Sequence, residues 1–305
     1  MNLQLRARLR RHPGTRGRRS WSVIPGVLTC SLLCLAGCGA GGPSSTPAVT
    51  PASTIGRIGD AADPVRAVVR EPKGATLAGA RLAGGPLSGR VITIDPGHNG
   101  GNFTHPQQIA RPVNDGNGEK ECDTTGTAAP DGYRETDFNW SVALRLRALF
   151  LAAGAHVVMT RTSNTGVGPC ITERAAIGNR AHSDAAISIH ADGGPTDGSG
   201  FAILIPAPIP SRADQAIIVP SRRLALALRG SLERFGLHPS NYDGVDGLAP
   251  RTDLGGLNLS RVPKVFVELA NMQNRADEAP LERPVFREGL ARALLAALER
   301  FLPQG

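Results

Sequence analysis

The sequence predicts an α/β fold, a single domain with a mostly parallel central sheet and helices on both faces, and three observations lead there. Short apolar runs rich in Ile and Val, V-I-T-I at 91–94, A-A-I-S-I at 185–189 and K-V-F-V at 264–267, have the length and composition of strands covered on both sides. They alternate with amphipathic helical patterns, as parallel strands joined by crossover helices do. Each run also leads into a residue able to bind a metal ion or work beside one, namely His98, His190 and Glu268. Ligands of such sheets gather at the carboxyl ends of the strands, so these distant residues are expected at one place. A fourth such group, Glu135, opens an amphipathic helix.

The chain begins with seven arginines and no acidic residue ahead of an apolar run from about Trp21 to Ala36. That layout is a secretory signal peptide, too short and too interrupted for a membrane span. It ends in L-A-G-C (35–38), which resembles a bacterial lipobox and implies cleavage before Cys38 and acylation of its thiol; an ordinary signal peptide is the alternative. Arg18 and Arg19 leave twin-arginine export open. Residues 1–37 are therefore read as a lipoprotein signal peptide and 38–88 as a lipid-anchored flexible linker. Within it, residues 39–56 are rich in Gly, Ser, Thr and Pro without apolar periodicity, while 57–88 read as an extended tether or as a segment packed on the domain. About 50 residues of flexible chain span about 40 Å on average.

The domain proper is assigned to 89–305. Its first strand, 90–94, feeds a long loop, 99–132, rich in Gly, Asn and Pro; loops of that length are usually functional or disordered. A helix starts near Thr136, where Phe138, Val142, Leu146, Leu149 and Ala153 form one stripe and Gly154 stops it. Glu135 then faces the sheet, although an acidic residue also suits a helix N-terminus for electrostatic reasons alone. Strand 156–160, helix 171–181 and strand 185–189 continue the alternation. Helix 221–235 lies between Pro220 and Gly236, strand 264–268 follows, and a final helix buries Phe286, Leu290, Leu294, Ala297 and Phe301.

The net charge of +8 misleads about partners, because 34 basic residues less the seven in the leader leave 27 against 26 acidic ones. A nucleic-acid partner has no electrostatic support. Of the five cysteines, Cys30 and Cys34 leave with the leader and Cys38 is the anchor. Cys122 and Cys170 remain, and an exported pair is most simply a disulfide. Three lysines against 31 arginines, with abundant Ala, Gly and Pro, point to a high-GC bacterium.

Two His, one Glu and a further Glu beside them make the inventory of a catalytic zinc site: three protein ligands, an open position and a carboxylate to move protons. On the residues alone, Glu268 serves equally as general base or as an outer group orienting a zinc-bound His. Asp95 orients a ligand or belongs to a D-P-G turn. Asn99, Asn258 and Asn271 are loop residues, structural or able to bind glycan or peptide amides. Arg161, Arg174 and Asp184 are expected to pair internally or cap helices, and His105, His156, His182 and His238 lack motif context. Neither H-E-x-x-H nor G-x-S-x-G occurs, which disfavours zincin and serine-hydrolase chemistry.

D-P-G-H-N-G (95–100), Y-R-E (133–135), S-I-H-A-D (188–192) and V-E-L-A-N-M (267–272) together resemble the motifs of the zinc-dependent N-acetylmuramoyl-L-alanine amidases of the type-3 amidase family. T-R-T (160–162), E-R-A-A-I-G-N (173–179) and Q-N-R-A-D-E-A-P-L (273–281) match in order and spacing, so the resemblance runs from about Gly89 to Leu302. Carried over residue by residue, it implies one zinc ion held by His98, Glu135 and His190, and Glu268 as the catalytic carboxylate. The implied reaction is hydrolysis of the amide between N-acetylmuramic acid and L-alanine in peptidoglycan. A zinc peptidase cutting within the stem peptide, or a non-catalytic peptidoglycan-binding lipoprotein, are the alternatives. The expected protein is a monomer in the cell-wall space, on the extracytoplasmic face of the membrane and touching it only through its lipid.

Overall fold

The computed structural model describes residues 84–212 and 216–303; the signal peptide, Cys38 and most of the linker lie outside the described residues. A six-stranded sheet is formed by β1 (Val91–Pro96), β4 (His156–Met159), β5 (Ala185–Asp192), β6 (Ala202–Pro206), β7 (Leu248–Arg251) and β8 (Lys264–Asn271), in the order β4-β1-β5-β8-β6-β7. β4, β1, β5 and β8 are parallel, whereas β6 runs antiparallel to β8 and carries β7 parallel to itself. Among the described residues no helix is long and apolar enough to cross a membrane.

The strands alternate, and the alternation positions the chemistry. In-register pairs place Asp95 beside Ser188, Ser188 beside Phe266, and His190 beside Glu268. Successive side chains of a strand point to opposite faces. One face therefore carries Asp95, Ser188, His190, Lys264, Phe266 and Glu268, and the other carries Ile92, Ile94, Ile187, Ile189, Val265 and Val267, all fully buried. The apolar face packs against α2 (Glu135–Ala152), α4 (Ile218–Phe235) and α7 (Pro284–Phe301) in the main core. α3 (Ile171–Arg180) and the short α5 (Gly255–Asn258) cover the other face, where Leu204, Ala249 and Leu257 make a small second cluster. Helices thus lie on both faces of the mostly parallel sheet.

Two features differ from the sequence reading, and a third bears on an alternative it left open. β6 and β7 extend the sheet on its antiparallel side; Pro250 is tolerated because β7 is the edge. The long loop after His98 holds a 3₁₀ turn at Asn102–Thr104, α1 (Pro106–Ile109) and a hairpin of β2 (Pro112–Asn114) and β3 (Glu119–Glu121). These pieces are too short to show a period; the hairpin closes where Asp115 Oδ1 accepts from the backbone of Asn117 and Gly118. Leu87, inside the expected linker, is fully buried and donates its N–H to Ala153 O at 2.9 Å, so packing on the domain begins by that residue. The short α6 (Arg275–Glu278) is capped by the Asn274 side chain.

Cys122 and Cys170 form a disulfide across 48 residues of sequence. It fastens the strand end before Asp123 to the residue that starts α3, where the Ile171 N–H also donates to Cys122 O at 2.7 Å. In the chain-entropy model such a loop closure stabilises by about 4 kcal/mol. At about 2–4 °C per kcal/mol for a domain of this size, replacing both cysteines with serine should lower the thermal midpoint by roughly 8–16 °C in calorimetry. An unchanged midpoint would show that the bond contributes nothing to stability.

Candidate active site

β1 ends in the turn D-P-G-H, and its geometry explains the residue types. His98, two residues past the strand, has φ 53°, a left-handed conformation that costs a non-glycine residue about 1–3 kcal/mol and concentrates at functional sites. A Cβ on Gly97 would lie 2.0–2.4 Å from three ring atoms of His190, so only glycine lets that imidazole approach the turn. Gly126 plays the same part opposite, at φ 76°, where a Cβ would be 2.7 Å from Glu135 Oε2 and 2.8 Å from the His98 ring.

Glu135, the first residue of α2, reaches over the strand ends between the two imidazoles. Its Oε1 lies 2.8 Å from His190 Nδ1 and its Oε2 3.3 Å from His98 Nε2. The carboxylate also accepts from Thr127 N at 3.0 Å and Asn139 Nδ2 at 3.1 Å, which fixes its orientation. Donor atoms of His98, Glu135 and His190 all lie within 4.8 Å of one another. The His190 ring is stacked on Phe266 with centroids 3.6 Å apart and meets the His98 ring edge-on at 4.9 Å.

A buried aspartate backs the outward nitrogen of each imidazole, directly for His98 and through a serine for His190. His98 Nδ1 donates to Thr124 O at 3.1 Å and lies 3.4 Å from Asp123 Oδ1. His190 Nε2 is 3.2 Å from Ser188 Oγ, which donates to Asp95 Oδ2 at 3.0 Å. One guanidinium ties the two arrangements together: Arg174 donates to Asp95 Oδ1 at 3.0 Å and to Asp123 Oδ2 at 2.9 Å. Lys264 Nζ, at 2.8 Å, and Thr160 Oγ1, at 2.7 Å, complete the shell of Asp95.

Electrostatics follow from these contacts. Burial pushes the Asp123 carboxyl up, but Arg174 and His98 outweigh it and hold it at about 2. Asp95 is likewise held well below the carboxylate range, as Lys264 and Arg174 overcome its burial. Burial would lower His98, yet Glu135 and Asp123 raise it to about 10, whereas for His190 burial prevails and its pKa falls. Glu135 is kept ionised because the two histidines overcome its desolvation.

Glu268 lines one groove of about 420 Å³ with His98, Glu135, His190 and Asp192. Its Oε2 is shut off from solvent and has no hydrogen-bond partner. Burial, then the negative charges of Glu135 and Asp192, raises its pKa well above the usual value. Buried carboxylate oxygens are almost always paired, so an unpaired one on a residue that lines the groove marks Glu268 as a functional candidate.

The structure therefore brings together His98, Glu135 and His190, places Glu268 beside His190 in register, and sets Asp95 behind His190 through Ser188. Asp95 does not touch either imidazole. Asp123, Thr124, Ser188 and Phe266 contact the histidines without having been singled out in the sequence. Asn271 is structural, giving its amide to Pro195 O and Gly198 O at 2.7 and 2.8 Å. Arg161 and Asp184 pair internally, with Pro96 O and Arg90 respectively. A second acidic trio, Asp131, Glu278 and Glu282, lies at the surface and contains no imidazole.

Two imidazole nitrogens and one carboxylate oxygen, close together and each braced from behind, are a donor set that suits a divalent transition ion such as zinc and leaves room for an exogenous ligand.

The family model Amidase_3, described as N-acetylmuramoyl-L-alanine amidase, matches residues 92–300. The chain is 42% identical over 217 residues to the N-acetylmuramoyl-L-alanine amidase Rv3717 of Mycobacterium tuberculosis, covering 71% of this chain and 88% of that protein. It superposes on the N-acetylmuramyl-L-alanine amidase Ami1 of Mycobacterium smegmatis with a TM-score of 0.67 at 40% identity, covering 71% of this chain and 98% of the other. The apo form of Ami1 from Mycobacterium abscessus gives a TM-score of 0.65 at 41% identity, with 71% and 100% covered.

Proposed function

Because the chain belongs to the Amidase_3 family and is a cell-wall N-acetylmuramoyl-L-alanine amidase, we propose that it works as a zinc hydrolase through His98, Glu135, His190 and Glu268. The observation that carries the reading is the His98–Glu135–His190 cluster sharing a groove with Glu268, one of whose carboxylate oxygens has no partner.

His98 Nε2, His190 Nδ1 and one Glu135 oxygen would hold the ion. The tautomers suit this: Thr124 O accepts from His98 Nδ1–H, and Ser188, whose own proton goes to Asp95, accepts from His190 Nε2–H. The inward lone pairs are thus left for the metal. A zinc ion held there supplies Lewis-acid polarisation of the amide carbonyl and lowers the pKa of water toward about 7. Glu268, ionised when it acts, takes a proton from the attacking water and delivers it to the nitrogen that leaves with L-alanine. Hydroxyl goes to the lactyl carbonyl carbon, the C–N bond breaks, and Glu268 ends as it began.

Digestion of purified peptidoglycan, followed by mass spectrometry, tests this reading. Free L-alanine amino termini should appear, and a chelator should abolish them until zinc is restored. Products cut within the stem peptide, without new L-alanine amino termini, would overturn it.

The site of action follows from L-A-G-C at 35–38 and the polar linker behind it. We place the chain outside the cell membrane, held by acylated Cys38. Cys38→Ala should move the protein from the membrane fraction to the soluble one; continued membrane fractionation would assign the anchor elsewhere.

A further inference from the structure

A second concavity opens beside the groove. It measures about 310 Å³ and is lined by Asn99, Phe103, Arg134 and Thr136, and it shares Thr125, Gly126 and Thr127 with the groove itself. Asn99 and Thr136 directly follow His98 and Glu135 in sequence, so this space adjoins the candidate metal ligands.

Three observations mark it as built for a ligand. Asn99 and Thr136 are 4% and 2% exposed, yet Asn99 Oδ1 and Thr136 Oγ1 have no hydrogen-bond partner. Buried polar atoms are almost always paired, and the two residues that carry these atoms line one cavity, so a group entering it with both a donor and an acceptor would supply what they lack. Secondly, Phe103 is 72% exposed, and it is the one exposed Phe, Tyr or Trp among the described residues. It is also held firmly. Its neighbour Asn102 is fully buried, donates to Thr124 O at 2.7 Å and accepts from Gly168 N at 2.8 Å, while Gly101 N donates to Gly166 O at 2.9 Å. The backbone that carries the aromatic ring is thus fixed relative to Thr124, which also braces His98. Thirdly, the lining offers no free charge, since its cation, Arg134, is paired with Asp137 at 3.1 Å.

We propose that this cavity is a glycan subsite that receives an N-acetylhexosamine of the strand next to the scissile amide. An acetamido group supplies the missing complement: its N–H donates to Asn99 Oδ1 and its carbonyl accepts from Thr136 Oγ1. The apolar face of the pyranose lies on Phe103, in the manner of rings with one apolar side and polar edges. A stem peptide fits less well, because it carries carboxylates and this lining has no unpaired cation to meet them. The proposal deepens the amidase reading and rests on it for the identity of the substrate.

The test is calorimetric titration of the exported, zinc-loaded full chain with a peptide-free oligosaccharide of alternating N-acetylglucosamine and N-acetylmuramic acid. Phe103→Ala and the near-isosteric Thr136→Val should each weaken glycan binding about tenfold, the loss expected for one aromatic contact or one hydrogen bond. Phe103→Trp should restore it, and affinity for a free stem peptide should not change in any variant. Unaltered glycan affinity in both Phe103→Ala and Thr136→Val, with unchanged melting temperatures, would overturn the proposal, as would a loss confined to the stem peptide. Because no bond is cut in this measurement, variants that lose glycan affinity support the subsite even if digestion releases no L-alanine amino termini.

Discussion

Glu268→Ala is expected to leave zinc bound while hydrolysis of peptidoglycan falls by two orders of magnitude or more. Loss of a general base typically costs about 10²–10⁴ in rate. The residue ends the run K-V-F-V-E, whose Val side chains hold β8 in the core, so removing its carboxylate takes nothing from the packing. It also removes a buried, partnerless oxygen that burial and two neighbouring carboxylates already destabilise as an anion. Folding stability should therefore stay level or rise, and loss of rate with full zinc and an intact melting curve would identify a chemical role. Near-normal turnover in Glu268→Ala with zinc at full occupancy would reduce the residue to a structural part and return proton transfer to another group.

The second large effect concerns the cluster itself. His98→Ala and His190→Ala should each strip the ion and bring activity to background, because a catalytic zinc site has three protein ligands and no spare one. The two variants differ in what they leave behind. Without His98, Asp123 loses a neighbouring imidazole but keeps Arg174; without His190, Phe266 loses its stacking partner and a hole opens on the sheet. His190→Ala should accordingly be the less stable of the two by about 1–3 kcal/mol, in line with losing a buried ring from a packed site. Elemental analysis decides the main point: stoichiometric zinc in both variants would remove these histidines from the metal site.

Much of this was legible in the sequence because strand and chemistry share one string. V-I-T-I-D, A-I-S-I-H and K-V-F-V-E each announce a buried strand and put a functional residue at its end. Glu135 was harder, since an acidic first turn has an electrostatic explanation of its own, and its reach between two imidazoles exists only after α2 docks on the sheet. Asp123 and Ser188 left no local trace: one follows a cysteine in a loop, the other is an ordinary small residue in a strand. Arg174 is expected to pair internally or cap a helix, but which partners it takes, two aspartates far apart in sequence, is set by tertiary structure. β6 carries no sequence expectation although A-I-L-I is apolar; prolines at 206, 208 and 210, which donate no backbone hydrogen bond, crowd its end. The β2–β3 hairpin has three-residue strands, below the length at which a period of two can be seen.

The two faces of the central sheet divide the chain's tolerance to change by the parity of residue number. In β5, positions 187 and 189 face the apolar core and 188 and 190 face the site; in β8 the core takes 265 and 267 and the site 264, 266 and 268; in β1 the order is reversed, with 92 and 94 inward and 95 at the site. A saturation scan along these strands would alternate residue by residue between variants that melt early and variants that fold but do not turn over. A single inserted or deleted residue would exchange the two sets at once, sending carboxylates and imidazole into the hydrocarbon core. Lineages of such a protein can drift by substitution along either set, but the strands are closed to length change, and insertions are confined to the loops that leave them.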